Sequence, residues 1–184
     1  LYLHVDAAWA GTAAVLPEKR WILEGAERAD SLVFNPHKWM GVNFDCTAHF
    51  VREKSALVRT FAIDPAYLQS HVDGRVNNYR DWGVPLGRRF RALKLWFTLR
   101  TMGVDGVREM VREHIRLAGW LAERIDEHPK FERLAPTELA LVCCRLNDGG
   151  QDAELDARNA ALLERVNATG RIRLTQTTLG GRYA

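Results

Sequence analysis

Lys38, in the run Asn35-Pro36-His37-Lys38-Trp39, is the residue of this chain best placed for covalent chemistry. It follows an apolar segment, Ser31-Leu32-Val33-Phe34, that reads as a buried strand. An amine held among aromatic rings in a partly desolvated pocket has a lowered pKa and can attack a carbonyl carbon. A solvated lysine on a strand-ending turn is the competing account. Upstream, a second strand-like run ends in Asp6-Ala7-Ala8-Trp9-Ala10-Gly11. Its small residues would let a flat group approach the backbone, or let a neighbouring element pack tightly. A carboxylate and an amine at two strand ends suggest a site, and a structural salt bridge would use the same two groups.

These residues need elements to hold them. The segment Pro17 to Ala29 predicts a helix, with Trp21, Ile22 and Ala26 on one side and Pro17 in its first turn. Strand, helix, strand in that order is a βαβ unit, which implies a parallel sheet with a right-handed crossover. Ligands of open α/β sheets bind beyond the carboxyl ends of the strands, where Asp6 and Lys38 both fall. Residues 47–51 read as a further strand, running back along 32–34, and 54–61 as a short helix. His49 has no second ligand at close spacing, so no metal is expected.

The stretch 64–87, with Pro65, Gly74, Gly83, Pro85 and Gly87, is irregular and long enough to be a lid or binding loop. Tyr67 lies near its start, as a surface aromatic or as a proton donor on a mobile lid. Residues 88–102 predict a helix apolar around much of its girth, suited to bridging two elements, to a subunit contact or to a core. Gly103 reads as a joint. A second helix, 104–127, carries Val107, Met110, Val111, His114, Leu117, Ala118, Leu121 and Ile125 at helical spacing, with His114 read as a packed core histidine. Arg108, Arg112 and Arg116 read as a solvated basic face. Beyond Pro129, strands at 131–134 and 139–146, a helix at 152–168 and a last strand at 172–178 suggest a small α+β domain. The domain boundary is placed in the long helix, giving 1–110 and 111–184.

Composition bounds the rest. Apolar residues make up 47% of the 184 and charged residues 27%, an ordinary globular balance. A net charge of +3, with acids and bases interleaved, does not indicate nucleic-acid binding. Cys46, Cys143 and Cys144 lack metal-ligand spacing and fit a reducing cytosol. No apolar run reaches the roughly 20 residues of a membrane span. Leu1 opens inside a strand-like run and nothing extends past Ala184, which reads as an internal piece of a longer protein.

The blocks 6–11, 35–39, Asn43-Phe44-Asp45-Cys46 and Pro85-Leu86-Gly87-Arg88-Arg89-Phe90-Arg91, in this order and spacing, closely resemble the pyridoxal-phosphate-dependent aromatic L-amino acid decarboxylases, or group II decarboxylases. The resemblance extends over nearly the whole chain and is tightest from residue 1 to about 115. It implies a fold type I, aspartate-aminotransferase-like α/β protein that is a homodimer at full length. This chain would supply the end of the large parallel-sheet domain, with mobile loop 64–87, and most of the small α+β C-terminal domain. It implies that Lys38 binds pyridoxal 5'-phosphate as a Schiff base, that Asp6 pairs with the pyridine nitrogen, and that Ala8 packs on the ring. Asn35 and His37 would lie near the phosphate, and Tyr67 would protonate the substrate-derived carbanion. The implied activity is decarboxylation of an aromatic L-amino acid to its arylalkylamine. An aldehyde synthase on the same scaffold is the alternative, and that switch usually carries Phe at the position of Tyr67. A third reading is a fragment that is inactive alone and serves only packing or dimerisation.

Overall fold

Three short strands form the frame for the candidate site. In the computed structural model, which describes residues 1–63, 66–68, 71 and 75–184 (the Leu68 side chain excepted), β1 (His4–Asp6) pairs in parallel with β2 (Ser31–Phe34). β2 pairs in turn with the antiparallel β3 (Ala48–Val51), so β2 is central. The register sets His4 opposite Ser31, Val5 opposite Leu32 and Asp6 opposite Val33. Directly paired residues share a face. His4, Asp6, Ser31, Val33 and His49 therefore line one face, while Val5, Leu32, Phe34 and Phe50 line the other. The two parallel strands are closed at their start by Asp30, whose Oδ2 accepts from Leu3 N at 2.7 Å and whose N–H donates to Leu3 O at 2.8 Å.

The connection between β1 and β2 differs from the expected helix. It is three 3-10 segments, Ala10–Val15, Pro17–Leu23 and Ala26–Arg28. Pro17 does open the second of them, but extended residues Leu16 and Glu24 and the left-handed Gly25 (φ 83°) prevent one continuous α-helix. Trp21 is consequently exposed rather than turned inward. The buried side of the connection comes from Thr12, Ala13 and Leu16. Gly11 lies so close to β2 that an added Cβ would stand 2.7 Å from Phe34 Cβ. Of the two accounts of the small residues after Asp6, tight packing holds at this position.

After β2 the chain makes a single helical turn, α1 (Pro36–Trp39), with Pro at its first position, where the missing N–H costs nothing. Trp39 is buried and stacks on Trp9, with ring centroids 4.4 Å apart and planes 9° from parallel. Such a pair contributes about 0.5–1.5 kcal/mol beyond its buried area, and it fastens α1 to the end of β1. Helix α2 spans Lys54–Phe61 as predicted, capped by Glu53, whose carboxylate accepts from Ser55 N at 3.0 Å. Of the irregular stretch 64–87, residues 64, 65, 69, 70 and 72–74, with Pro65 and Gly74 among them, lie outside the described residues. The remainder includes 3-10 turns at Ala66–Leu68 and Tyr79–Trp82.

Helix α3 (Arg91–Glu127) starts three residues later than expected and has one non-helical residue, Gly103 (φ 69°, ψ 171°), at the predicted joint. A positive φ is accessible to Gly without the Cβ clash that other residues meet. Before Gly103 the helix is not a buried core element: Phe90 at its approach, and Leu93, Trp96, Phe97 and Leu99 along it, are exposed. The chain divides into two compact units, Leu1–Arg108 and Glu109–Ala184. In the second unit the buried helix stripe is Val111, Ala118, Ala122 and Ile125. His114 is exposed, which corrects the core assignment: it stands at the margin of the buried stripe, on the side of exposed Leu117 and Leu121. Arg108 departs from the expected solvated face as well, donating through Nε to Val15 O at 3.0 Å.

The second unit continues with β4 (Phe131–Arg133) paired antiparallel to β5 (Cys144–Leu146), and with α4 (Asp152–Ala168). Residues 139–143 are not strand, so the second predicted strand is shorter than its apolar run. The predicted last strand is displaced: residues 172–176 form no ladder, and the hairpin is β6 (Thr178–Leu179) with β7 (Arg182–Tyr183), extended by mutual backbone hydrogen bonds between Thr177 and Ala184. Asn167 takes the place of a partner strand there, accepting from Leu174 N at 2.8 Å and donating to Leu174 O at 3.1 Å. At the centre of the unit Arg145 is 4% exposed and is bound by Glu132 (2.6 Å), Asp152 (2.8 Å) and Asp156 (3.5 Å). A buried guanidinium is tolerable only when so paired.

Candidate functional site

Sheet register brings the site residues together. The β1–β2 ladder runs on past both strands, through Ala7 N to Val33 O and Asn35 N to Ala8 O, each 2.9 Å. Asp6, Ala8, Asn35 and the α1 turn with His37 and Lys38 are thus held at one carboxyl edge. Asp6 is exposed, and its Oδ1 accepts from Ala8 N at 2.9 Å, which fixes the carboxylate against its own strand end. The competing structural salt bridge is absent: no ion pair joins Asp6 to Lys38 among the described residues. Ala8 is half-buried and offers a small flat surface.

Lys38 is exposed, not desolvated as expected of a nucleophilic amine. Its backbone is fixed by Lys38 N donating to Asn35 O at 2.9 Å, while no described residue encloses its side chain. Asn35 differs: its Oδ1 is buried and has no hydrogen-bond partner. Thr12 Oγ1 and Thr137 Oγ1 are the other such side-chain oxygens among the described residues. Of the three, Asn35 alone stands at the carboxyl edge of the sheet.

His37 is the most tightly held of the group. Cys46 N donates to its Nδ1 at 3.0 Å, and Cys46 O lies 2.7 Å from the same nitrogen. One nitrogen serves one of these bonds at a time, depending on the tautomer. Either way the ring is bound to the Cys46 backbone, and Nε2 is left for other partners. Phe44 meets the ring edge-on, with centroids 4.9 Å apart and planes 82° to each other. Asp45, between them, accepts from Arg91 Nε at 2.9 Å and faces Arg89 at 4.0 Å. The Arg91 hydrogen bond holds the Asp45 carboxyl below its ordinary range. The buried Cys46 thiol points at Arg91 O, 3.7 Å away. The neighbouring stretches 35–39 and 43–46 therefore meet 89–91, which is remote from both in sequence.

Reasoning on the sequence treated 43–46 and 85–91 as motif blocks and gave Asp45, Cys46 and Arg91 no role. No local spacing could reveal an ion pair between residues 46 positions apart. Tyr67 stands on the Ala66–Leu68 turn, 78% exposed, and no described residue joins it to His37 or Lys38. No group of three or more potential metal ligands occurs among the described residues.

A sheet edge that presents a lysine, an aspartate and an unsatisfied amide together is arranged to meet a polar ligand. The chain is a member of the pyridoxal-dependent decarboxylase conserved-domain family, whose model matches residues 1–147. It is 45% identical over 185 residues to the aromatic-L-amino-acid decarboxylase of Sus scrofa, covering 100% of this chain and 37% of that protein. It matches the crystal structure of Oryza sativa TDC with PLP and tryptamine at TM-score 0.95 and 38% identity, over 99% of this chain and 39% of that one. It also matches Rhodiola rosea 4-hydroxyphenylacetaldehyde synthase at TM-score 0.86 and 31% identity, over 100% of this chain and 37% of that one. The chain thus spans well under half the length of these relatives, and its fold is that of the fold type I decarboxylases.

Proposed function

We propose that the protein carrying this chain converts an aromatic L-amino acid to the arylalkylamine and CO₂, with pyridoxal 5'-phosphate anchored on Lys38. The observation that carries this reading is the β1–β2 register, which sets Asp6 and the Lys38 turn at one carboxyl edge in a chain of a pyridoxal-dependent family. The residues present fit the group. Lys38 supplies an exposed amine, Asp6 an exposed carboxylate and Ala8 a small apolar surface. The unpartnered Asn35 amide can present either its oxygen or its NH₂ to a polar ligand. His37 keeps Nε2 available for a phosphate.

When bound, the cofactor supplies an electron sink for the pair left on the α-carbon as CO₂ departs. The remaining work belongs to this chain. Asp6 favours a proton on a nitrogen placed against its carboxylate, and the positive charge kept there stabilises negative charge developing nearby. Lys38 Nζ is the nucleophile and His37 Nε2 a fixed polar contact. Tyr67 Oη is the proton donor to the α-carbon, delivered by the 64–87 segment. Residues 1–110 serve as the closing part of the cofactor-binding domain and 111–184 as the small domain, in a homodimer. Three free cysteines suit a reducing compartment, the cytosol, and no helix among the described residues is long and apolar enough to cross a membrane.

The likeness to an aldehyde synthase supports a second reading, in which decarboxylation is coupled to oxidative deamination. The Tyr67 hydroxyl favours the amine. The deciding experiment incubates the full-length protein with tryptophan, tyrosine, phenylalanine, DOPA and histidine and measures amine against aldehyde and peroxide. Amine from at least one substrate is expected, with loss of both turnover and the cofactor's visible absorbance in Lys38→Ala. Predominant aldehyde overturns the product assignment, and CO₂ release by Lys38→Ala at the wild-type rate overturns the mechanism.

A further inference from the structure

We propose that Asp45 is a positioning residue: its ion pair with Arg91 holds the Phe44–Cys46 turn that clasps His37, and so orients the helical turn bearing Lys38. The inference rests on the functional reading above, since it says what keeps that site in register. The chain of contacts is continuous. Arg91 is the first residue of α3 and follows directly on the Tyr67-bearing stretch and Arg88–Phe90. Its Nε binds Asp45 Oδ2 at 2.9 Å, and its carbonyl receives the Cys46 thiol at 3.7 Å. Cys46 in turn holds His37 at two atoms, at ring Nδ1 through its N–H (3.0 Å) or its carbonyl (2.7 Å) according to the tautomer, and at His37 N through the carbonyl (3.4 Å).

Each link has a physical reason. A guanidinium–carboxylate bond is charge-assisted and about twice as strong as a neutral one. Its geometry fixes the carboxylate, which is part of the same short turn as Cys46. Nδ1 either accepts from the Cys46 N–H or donates to the Cys46 carbonyl, and in both cases the ring is held on that side and Nε2 is left on the side away from the clasp. His37 and Lys38 are adjacent within the single turn of α1, so a ring held on one side limits rotation of the turn as a whole. Asp45 makes no hydrogen bond or ion pair with either residue and acts through its neighbours Phe44 and Cys46, both of which contact His37.

The test uses the full-length protein with ¹⁵N-labelled histidine, in wild-type, Asp45→Asn and Asp45→Glu forms. The first readout is the His37 ring nitrogen spectrum, taken without cofactor. Wild type is expected to show one fixed tautomer and Asp45→Asn an averaged one, with Asp45→Glu restoring most of the wild-type pattern. The second readout is cofactor release, expected about tenfold faster in Asp45→Asn, with circular dichroism unchanged. His37 signals and release rate both within twofold of wild type in Asp45→Asn overturn the proposal. Should Asp45→Asn fail to fold, Arg91→Lys, which keeps the charge and loses the guanidinium fork, is judged by the same criterion. A wild type that takes up no pyridoxal phosphate removes the functional reading, while the ring spectrum still decides whether Asp45 holds His37.

Discussion

Replacing Gly11 with Ala tests whether the tight junction between the first connection and β2 sets the position of the lysine turn. An alanine Cβ at Gly11 would stand 2.7 Å from Phe34 Cβ and 3.1 Å from Ala7 Cβ. Cβ atoms do not rotate away, so relief requires a backbone shift in β2 or in the Ala10–Val15 turn. Overpacking of this kind costs about 1–3 kcal/mol. Phe34 is the last residue of β2 and Asn35 the next, so any shift is passed directly to the α1 turn. Gly119→Ala is the control: no atom lies within 4 Å of its added Cβ, and it sits inside α3. There the substitution should stabilise by about 0.5–1 kcal/mol, through the entropy that Gly loses in a helix. Both variants are measured by urea unfolding of the full-length protein, with cofactor retention as a second readout. Gly11→Ala should lower the midpoint and weaken retention, and Gly119→Ala should do neither. A Gly11→Ala protein within 0.5 kcal/mol of wild type, and retaining cofactor equally, would refute the claim that this junction places the site.

Two predictions concern the second unit. Arg145 holds the Glu132 carboxyl below its ordinary range through a 2.6 Å hydrogen bond. A depressed folded pKa gives stability that is complete above the unfolded value, about pH 4.3, and lost as pH falls through the folded one. Glu132→Gln should therefore be less stable than wild type by about 1 kcal/mol at pH 7, the gap closing in acid; a gap independent of pH removes this account. Asn159 is buried, accepting from Leu146 N at 2.7 Å and donating to Leu146 O and Leu155 O at 2.9 and 2.8 Å. Asn159→Ala leaves the Leu146 N–H unpaired and should cost about 2–3 kcal/mol, seen as faster hydrogen exchange at Leu146. Unchanged exchange there counts against it.

What the sequence makes legible is what local pattern determines. The apolar run 31–34, the helices 54–61 and 152–168 and the break at Gly103 appear as read, and the strand read at 47–51 forms at 48–51. Each is specified by neighbours within a few residues. The errors share one cause, which is that burial depends on partners remote in the chain. Trp21 and His114 sit on faces that looked apolar by period, yet no element covers them. The 172–178 run has strand composition, but only its end, Thr177 and Thr178, finds a partner strand, and Asn167 fills in for one at Leu174. At the site, the carboxyl-edge rule placed Asp6 and Lys38 together before any coordinates. The Asp45–Arg91 tie lay beyond it, because a pair 46 residues apart leaves no periodic trace.

Asn35 shows how the two kinds of information combine. Its backbone is fully used: N–H donates to Ala8 O and the carbonyl accepts from Lys38 N, both at 2.9 Å. Its side-chain oxygen is buried without a partner, a state that costs about 1–3 kcal/mol. An apolar residue of similar shape would avoid that cost and could keep both backbone bonds. A polar amide at this position therefore serves something other than the stability of the described residues. The place where the amide is unsatisfied is the place where Asp6 and Lys38 converge, and a ligand with polar groups at that edge would repair it. The same argument does not extend to Thr12 Oγ1, which is equally unpartnered but lies within the connection between β1 and β2, among buried Ala13 and Leu16. Position at the sheet edge, not lack of a partner alone, is what sets Asn35 among the residues of the binding site we propose.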